Sequence, residues 1–194
     1  MIGFLIIGDI NIAMKIISEE YRKLQRDLHI REQFYGVASI EFSPIVASVL
    51  DHFKIDNISD YGAGKKRLID ALTKLKRSPR LYFPYDPAFP EYGEPKKADL
   101  VCCIDVLEHI EPLLIDNVLK DLSKIITNIG FFTVHLTPAR KILADGRNAH
   151  LILKPIPWWM QKFEKYFSIY RWDEHQIGGK GFWVVVKSKK FNKQ

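Results

Sequence analysis

The residues with the clearest potential for chemistry are an acidic residue and two glycines at the end of a predicted strand. Residues 58–64 read Ile-Ser-Asp-Tyr-Gly-Ala-Gly, and the sequence pattern changes there from strand-like to helical. Glycines at such a turn allow a ligand to approach the backbone closely, and the helix that follows directs its first amide groups toward that ligand. The turn therefore predicts a site for a nucleotide-like cofactor at the carboxyl edge of an open α/β sheet.

Two carboxylates narrow the kind of cofactor that this turn suits. Asp60 lies two residues before the first glycine, where its charge would repel a pyrophosphate but accept hydrogen bonds from an ammonium group. Asp86 ends the next predicted strand, a position from which a carboxylate can bind both hydroxyls of a ribose. The run 62–67 also lacks the last glycine of a pyrophosphate-binding fingerprint, so a nicotinamide-dependent oxidoreductase is the least favoured interpretation.

A second group of polar side chains follows the next buried-looking strand, residues 99–104. That strand leads into Asp105, Glu108 and His109, and two further histidines lie near predicted strand ends. Histidine and carboxylate side chains are the usual general bases of enzymes. The candidate catalytic residues are Asp105, His109, His135 and His150.

The same group of side chains raises the alternative of a metal site. Oxygen and imidazole ligands would come from Asp105, Glu108, His109 and either His135 or His150. Their spacing along the chain is loose, and His109 has an equally simple role as a core or capping histidine. The sequence therefore favours a site without a metal.

Hydrophobic spacing alternates between strand and helix periods along most of the chain. The predicted helices span 12–34, 45–53, 65–75, 112–126 and 157–166. The predicted strands span 57–61, 80–85, 99–104, 131–136, 168–172 and 182–187. Ser43 and Pro44 predict the start of the second helix, as its N-cap and its first helical residue. This alternation with a closing hairpin predicts an α/β sandwich with a mainly parallel sheet and an antiparallel edge.

The bulk composition is that of an ordinary soluble globular protein. The chain has 194 residues, of which 47% are hydrophobic and 27% charged. The apolar run 3–7 is too short for a membrane span and lacks the basic flank of a signal peptide, so it predicts a first strand or the start of a buried helix. Cys102 and Cys103 are adjacent on a predicted strand and face opposite ways. No disulfide is expected between them, and a reducing cytoplasm fits.

The positive charge is concentrated near the C-terminus. The net charge is +6, and residues 151–194 carry nine Lys and Arg against three Asp and Glu. A solubilising tail is the simpler explanation, and a surface for nucleic acid is the alternative, although no nucleic-acid motif accompanies the charge. The expected layout is a helical N-terminal cap over 1–54, a cofactor-binding domain over 55–188 and a basic tail over 189–194.

At these motifs the chain resembles the class I S-adenosylmethionine-dependent methyltransferases. The matching stretches are 60–64, 85–87, 103–112 and the closing hairpin 168–187, and the resemblance extends over about residues 55–188. Residues 145–151, followed by Trp158-Trp159, are similar to an uncharacterised bacterial and phage branch of that family. The resemblance implies a Rossmann-like methyltransferase sandwich, with S-adenosylmethionine as cofactor and S-adenosylhomocysteine as product.

One interval departs from the family pattern. Only 12 residues separate Asp86 from Asp99, whereas the family normally places a helix, a strand and a second helix there. We therefore expect this chain to lack one strand–helix unit, together with the residue that commonly holds adenine. The loop 87–93, with Ala88 and Phe89, is then expected to pack against adenine instead.

The resemblance assigns cofactor contacts residue by residue. Asp60 would hold the amino group of the cofactor, and Asp86 would hold its ribose. The implied cofactor-binding residues are Tyr35, Asp60, Tyr61, Gly62, Ala63, Gly64, Asp86, Pro87, Ile104, Asp105 and Val106. The candidates for contacts with the methyl acceptor are Arg147, Asn148 and Trp158.

The expected function is methyl transfer to a small polar acceptor, such as a sugar or another metabolite. The sequence contains no obvious separate recognition domain, which favours a small-molecule partner, and no membrane partner is expected. Two alternatives stay open. One is a nucleic-acid methyltransferase that uses the basic C-terminal quarter, and the other is a non-catalytic module that binds the cofactor without turnover.

Overall fold

The computed structural model describes residues 14–189 of the chain. Five helices and six strands follow one another in these residues. The helices are α1 (Glu19–Arg31), α2 (Ala38–Phe53), α3 (Arg67–Lys74), α4 (Ile115–Ile125) and α5 (Ile156–Tyr166). The strands are β1 (Asn57–Tyr61), β2 (Leu81–Tyr85), β3 (Ala98–Cys103), β4 (Ile126–His135), β5 (Phe167–His175) and β6 (Gly181–Ser188). The predicted element at 3–7, the start of the predicted helix 12–34 and all but one residue of the predicted tail 189–194 lie outside the described residues.

All six strands form a single sheet in the order β2-β1-β3-β4-β6-β5. The first four strands are mutually parallel, and β6 runs antiparallel to both β4 and β5. This topology confirms the predicted α/β sandwich with an antiparallel C-terminal hairpin. It also brings the carboxyl ends of β1 to β4 to one edge of the sheet, where the candidate site residues lie.

The sheet is narrow on the side of β2, as the short interval after Asp86 predicts. Between β2 and β3 the chain forms only one turn of 3-10 helix, Pro90–Tyr92, and β2 is the edge strand of the described sheet. The missing strand–helix unit is therefore confirmed. Its loss leaves the loop between β2 and β3 free to fold against the glycine turn after β1.

Helices cover both faces of the sheet. On one face, α4 and α5 pack their apolar sides against strand residues such as Val101 and Phe132, with Trp159 of α5 fully buried. On the other face, α2 and α3 pack against Leu100 and Phe131. Cys102 and Cys103 are buried on opposite faces and form no disulfide, as predicted from their adjacency on a strand. Among residues 14–189, no helix combines the length and the apolarity that a bilayer span requires.

Among the element boundaries that differ from the prediction, the starts of α2 and β4 have a clear structural reason. The α2 helix begins at Ala38 and contains Pro44 in its interior, so Ser43 is not an N-cap. Pro44 cannot donate to the Ile40 carbonyl one turn earlier, and the Ser43 hydroxyl donates to that carbonyl instead, at 2.8 Å. The proline is therefore accommodated within the helix.

The β4 strand begins directly after α4, at Ile126, rather than after Gly130. Gly130 lies within the strand and pairs with Val186 of β6. A Cβ atom at this position would lie 2.8 Å from Cγ2 of Val186, so the glycine reflects close packing rather than a turn.

Candidate active site

Four strand ends meet at the site. The turn after β1 begins at Gly62, Asp86 follows β2, Asp105 lies just beyond β3, and His135 is the last residue of β4. Because β1 to β4 are parallel, these positions share one edge of the sheet. Helix α1 and the segment after it lie over this edge, so the site is enclosed between the strand ends and α1.

The glycine turn has a shape that only glycine permits. Gly62 has a φ of +83°, and a Cβ atom there would lie 2.3 Å from Cγ2 of Val106. The amides of Gly62 and Ala63 donate to the carbonyl of Tyr85 at 2.7 and 2.9 Å, which holds the turn against β2. The turn therefore passes directly beside the loop after β3. The backbone of the turn lines a cavity at this edge of the sheet.

Asp60 is a buried carboxylate at the base of this turn. Its side chain is only 3% exposed and accepts a hydrogen bond from the hydroxyl of Tyr82. Burial raises the pKa of Asp60 to about 7, and the nearby Asp86 adds to the rise. A buried carboxylate without a cationic partner is costly, and a ligand ammonium group would stabilise its charged form.

Asp86 holds two backbone segments together. One carboxylate oxygen accepts from the amide of Gly64 at 2.9 Å and the other accepts from the amide of Ala88 at 2.8 Å. Burial raises the pKa of Asp86, and the two backbone hydrogen bonds oppose that rise. Each oxygen retains a second lone pair, so the geometry leaves Asp86 able to accept from ribose hydroxyls.

A first cavity of about 90 Å³ lies over the turn. It is lined by Ile17, Tyr21, Gln25, His29, Tyr35, Gly36, Ala38, Ser39, Asp60, Gly62, Ala63, Gly64, Asp86, Pro87, Ala88, Ile104, Asp105, Val106, His109 and Ile110. Typical ligand pockets measure ~300–1,000 Å³. A nucleoside-sized ligand therefore requires this cavity to widen. Tyr61 does not line this cavity, because its ring lies in the core and its hydroxyl donates to Asp121 at 3.1 Å.

The side chains from α1 that cover this cavity, which form its roof, were not predicted from the sequence. Tyr21, Gln25 and His29 line it from α1, and the Tyr35 hydroxyl donates to Oε1 of Gln25 at 3.0 Å. His29 sits against Gly64 and burial lowers its pKa to about 4, so the imidazole is neutral. The sequence does contain a signal for them, because Tyr21, Gln25 and His29 are spaced by four residues and therefore share one face of a helix.

The loop after β2 lies beside the glycine turn, as the adenine prediction requires. Ala88 lines the first cavity, and the rings of Phe89 and Tyr92 stack with centroids 5.4 Å apart. The Tyr92 hydroxyl donates to the carbonyl of Gly64 at 2.9 Å, which fastens the loop to the turn. The contact of this loop with adenine stays a prediction.

A second, larger cavity of about 610 Å³ adjoins the first. It extends from the site toward the loop after β4 and the hairpin turn, and His135, Thr137, His150, Ile177 and Gly178 are among its lining residues. The two cavities share the wall formed by Tyr35, Gly36, Ala38, Asp105 and His109. The two cavities therefore adjoin each other at these five residues.

His109 is the histidine in the shared wall. Its Nδ1 lies 2.8 Å from the carbonyl of Ala149, an acceptor only, so Nδ1 carries the proton that is donated. Burial lowers the pKa of His109, and the imidazole is neutral near pH 7. Its Nε2 therefore carries a free lone pair, 3.9 Å from the Oδ1 atom of Asp105, and can accept a proton.

The other two candidate histidines differ from each other. His135 lies with Nδ1 2.8 Å from Oδ1 of Asp105 and Nε2 2.9 Å from the Ile177 carbonyl. Burial alone would lower its pKa, but the hydrogen bonds to Asp105 and Glu108 outweigh burial and raise the pKa to about 11. Both ring nitrogens of His135 are engaged, and its role as a base stays a prediction. His150 donates from Nδ1 to a backbone carbonyl and keeps Nε2 free.

Asp105 completes the shared wall. Burial would raise its pKa, but the hydrogen bond from His135 and the neighbouring histidines hold the pKa at about 2. Its backbone amide donates to the hydroxyl of Thr133 at 2.9 Å, and its φ of +57° is unusual for a residue other than glycine. Asp105 is therefore a fixed negative charge between the two cavities.

The three predicted acceptor contacts line neither cavity. Arg147 pairs with Asp145, and Asn148 bonds to the backbone of Ala139 through both its side-chain oxygen and its amide nitrogen. The ring of Trp158 packs beside the core. In the structure Arg147 and Asn148 hold a loop closed and Trp158 supports the core, so contact of these residues with the acceptor stays a prediction.

Comparisons with known proteins support the fold. No protein-family profile and no curated protein matches the chain. Three methyltransferase structures are similar to it. One is 1,6-didemethyltoxoflavin-N1-methyltransferase from Burkholderia thailandensis, with 1,6-didemethyltoxoflavin and S-adenosylhomocysteine bound (TM-score 0.59, 14% identity, 87% of this chain and 89% of that chain covered).

The second is magnesium protoporphyrin IX methyltransferase from Synechocystis with bound S-adenosylmethionine (TM-score 0.60, 13% identity, 89% of this chain and 99% of that chain covered). The third is the N-methyltransferase NodS from Bradyrhizobium japonicum in complex with S-adenosylhomocysteine (TM-score 0.52, 12% identity, 89% of this chain and 100% of that chain covered). The resemblance to a bacterial and phage branch stays a prediction. The chain has the Rossmann-like fold of class I methyltransferases.

Proposed function

We propose that this protein transfers a methyl group from S-adenosylmethionine to a small polar acceptor. One observation supports the proposal above the others. The cavity over the glycine turn and the larger cavity beside it share a wall that contains Asp105 and His109. A methyl donor in the first cavity and an acceptor in the second would meet at this wall.

The first cavity offers the groups that this cofactor needs. The buried carboxylate of Asp60 suits the ammonium group, and Asp86 suits the ribose hydroxyls. Gly62 to Gly64 would border the methionine part, and Ile104 to Val106 the sulfonium. The similar structures contain S-adenosylmethionine or S-adenosylhomocysteine, which favours the same cofactor here. In this proposal, the described part of the predicted N-terminal cap, residues 14–54, covers the domain that binds the cofactor.

The transfer itself needs placement and removal of one proton. The acceptor atom attacks the methyl carbon in line with the breaking carbon–sulfur bond, whose electron pair stays on sulfur and yields S-adenosylhomocysteine. The proton of the acceptor passes to Nε2 of His109, because that nitrogen has a free lone pair in the shared wall. His150 offers a second free nitrogen deeper in the second cavity.

The size of the second cavity favours a small acceptor. At about 610 Å³ it lies within the ~300–1,000 Å³ range of small-molecule sites. Its lining is polar on one side, with Thr137, Arg140, Lys141 and His150, which suits a hydroxylated or anionic molecule. The nucleic-acid alternative depends on the Lys and Arg side chains of the C-terminal quarter. From the described part of that quarter, only the uncharged residues 177–179 line this cavity.

The proposal is tested by following tritium from S-[methyl-³H]adenosylmethionine. The protein is incubated with a metabolite extract or with total RNA, and products are separated by size. We expect label in the low-mass products and a loss of about 10²- to 10⁴-fold in rate for His109→Gln, with His52→Ala as the control. Label found only in RNA would favour the alternative acceptor. Cofactor binding without any transfer would favour the non-catalytic module.

A further inference from the structure

Four ionisable side chains converge beyond the end of β3 and β4. Asp105, Glu108, His135 and His150 each offer one oxygen or nitrogen atom, and these four atoms all lie within 4.8 Å of one another. Two carboxylates and two imidazoles form a common type of ligand set for divalent transition-metal ions. Asp105 and Glu108 lie one turn apart in sequence, whereas His135 and His150 come from the end of β4 and the loop beyond it.

Both histidines donate from one ring nitrogen to a backbone carbonyl, so the other nitrogen could bind a metal ion in place of a proton. His135 donates from Nε2 to the carbonyl of Ile177 at 2.9 Å, which leaves Nδ1 facing Asp105 and Glu108. His150 donates from Nδ1 to the carbonyl of Thr137 at 2.6 Å, which leaves its Nε2 atom free to bind a metal ion. Metal-binding histidines characteristically fix their second nitrogen through such an outer hydrogen bond. Here the two outer partners are both backbone carbonyls from outside the cluster.

Glu108 supplies an independent observation. Its side chain is 0% exposed, and its Oε1 atom accepts from the backbone amide of His135. Its Oε2 atom is buried and has no hydrogen-bond partner. A buried carboxylate oxygen without a partner is costly, and a cation held by this cluster would satisfy it.

The two carboxylates also favour a bound cation. Nδ1 of His135 lies 2.8 Å from Asp105 and 3.3 Å from Glu108, so one ring nitrogen faces two carboxylates. A divalent cation in place of the ring proton would balance both carboxylates while both imidazoles stay neutral. His109 is not one of the four residues whose ligand atoms converge in this way.

We infer that Asp105, Glu108, His135 and His150 bind one divalent transition-metal ion. The two imidazoles favour Zn²⁺ or Co²⁺ over Mg²⁺ or Ca²⁺, which prefer oxygen ligands throughout. Three of the four residues line the second cavity, so the ion would face that cavity. There it could bind an oxygen of the acceptor, a consequence that rests on the proposed function, whereas metal binding itself does not.

The test uses the full-length protein after dialysis against a chelator. Calorimetric titration with Zn²⁺, Co²⁺ and Mg²⁺ should show one Zn²⁺ or Co²⁺ per chain and far weaker Mg²⁺ binding. Glu108→Gln and His150→Ala should each weaken Zn²⁺ binding by at least about tenfold. His52→Ala is the matched control, because this exposed histidine lies outside the cluster and should bind Zn²⁺ like the natural chain.

Proton NMR of the Co²⁺ form gives a readout that depends on the geometry. Two exchangeable imidazole N–H signals, from His135 and His150, should show paramagnetic shifts, and His150→Ala should remove one of them. Circular dichroism of the metal-free variants verifies that they fold. The inference is overturned if the natural chain binds no Zn²⁺ or Co²⁺, or if folded Glu108→Gln and His150→Ala bind like the natural chain. Binding of S-adenosylhomocysteine, measured separately, reports on the proposed function, so the two can fail independently.

Discussion

Replacing Asp60 by asparagine tests how the first cavity distinguishes a cationic amino-acid cofactor. Asparagine has nearly the same size and can still accept from the hydroxyl of Tyr82, so the change removes charge and little else. Asp60 is only 3% exposed, so its interaction with an ammonium group would be shielded from water. A hydrogen bond to a charged group is worth about 1.5–3 kcal/mol. We therefore expect S-adenosylmethionine to bind about 10- to 150-fold more weakly.

The assay compares two ligands by isothermal titration calorimetry. S-adenosylmethionine contains the ammonium group, whereas 5′-methylthioadenosine has the same nucleoside without the amino-acid part. Asp60→Asn should weaken only the first. Equal weakening of both ligands would mean that the substitution disturbs the whole cavity. Unchanged binding of S-adenosylmethionine would refute the assigned role of Asp60.

The pH dependence follows from the raised pKa of Asp60, about 7 instead of 3.8. Below pH 7 the carboxyl takes up a proton, so affinity for the cofactor should fall about tenfold per pH unit. Above about pH 8 affinity should fall again, because the ligand's α-amino group loses its own proton. Asp60→Asn should remove the acid limb of this profile and keep the alkaline limb.

The same shift has an opposite effect on the stability of the ligand-free protein. A folded-state pKa above the unfolded value gives stability that is complete below pH 3.8 and is lost as pH rises through about 7. The cost of the buried charge above pH 7 is up to about 4 kcal/mol. We expect Asp60→Asn to have a higher melting temperature than the natural chain at pH 8, although it binds the cofactor less well.

Two further substitutions test the turn and the loop. Gly62→Ala should weaken S-adenosylhomocysteine binding about 5- to 150-fold in calorimetry, because the new Cβ would collide with Val106. Gly93→Ala is the control and should bind normally, because Gly93 has a similar positive φ but open space around its Cβ position. Equal affinity of both variants would contradict the assigned fit of the turn. Asn148→Ala should cost about 2–3 kcal/mol in thermal unfolding, because its side chain makes three hydrogen bonds to the backbone. Arg147→Ala should change stability by less than about 1 kcal/mol, because its pair with Asp145 is exposed, and an equal loss in both variants would refute this reasoning.

The mainly parallel sheet with its antiparallel edge was predictable, because strand and helix periods alternate clearly after residue 56. The errors arose where one residue has two structural meanings. Pro44 was interpreted as a helix start, yet it lies inside α2, where Ser43 takes up the carbonyl that the proline leaves free. Gly130 was interpreted as a separator, yet it lies inside β4 at a point of close packing. Such choices depend on tertiary neighbours that local sequence does not reveal.

The site was predictable to the extent that strand ends determine it. Asp60 lies near the end of β1, and Asp86 and Asp105 follow the next two strands of the same parallel sheet, so their meeting follows from topology. The hydrogen bonds by which Arg147 and Asn148 close their loop were not predicted, because polar residues that close a loop resemble polar residues that bind a ligand.

The residues above the first cavity and the candidate metal ligands could be identified only from the folded structure. The roof came from the inward face of α1, whose polar residues the helix pattern alone did not relate to the glycine turn. His135 and His150 are separated by a loop, and sequence spacing gave no measure of their distance from Glu108. The ring orientations, which depend on the carbonyls of Ile177 and Thr137, appear only in the folded chain.

The most direct test of the central claim is a calorimetric comparison of S-adenosylhomocysteine with NAD⁺ on the natural chain. If the cavity over the glycine turn accepts a sulfur nucleoside with an amino-acid part, S-adenosylhomocysteine binds at one site per chain and NAD⁺ gives no binding heat. Binding of NAD⁺ in its place, or no binding of S-adenosylhomocysteine by the folded protein, would contradict the account.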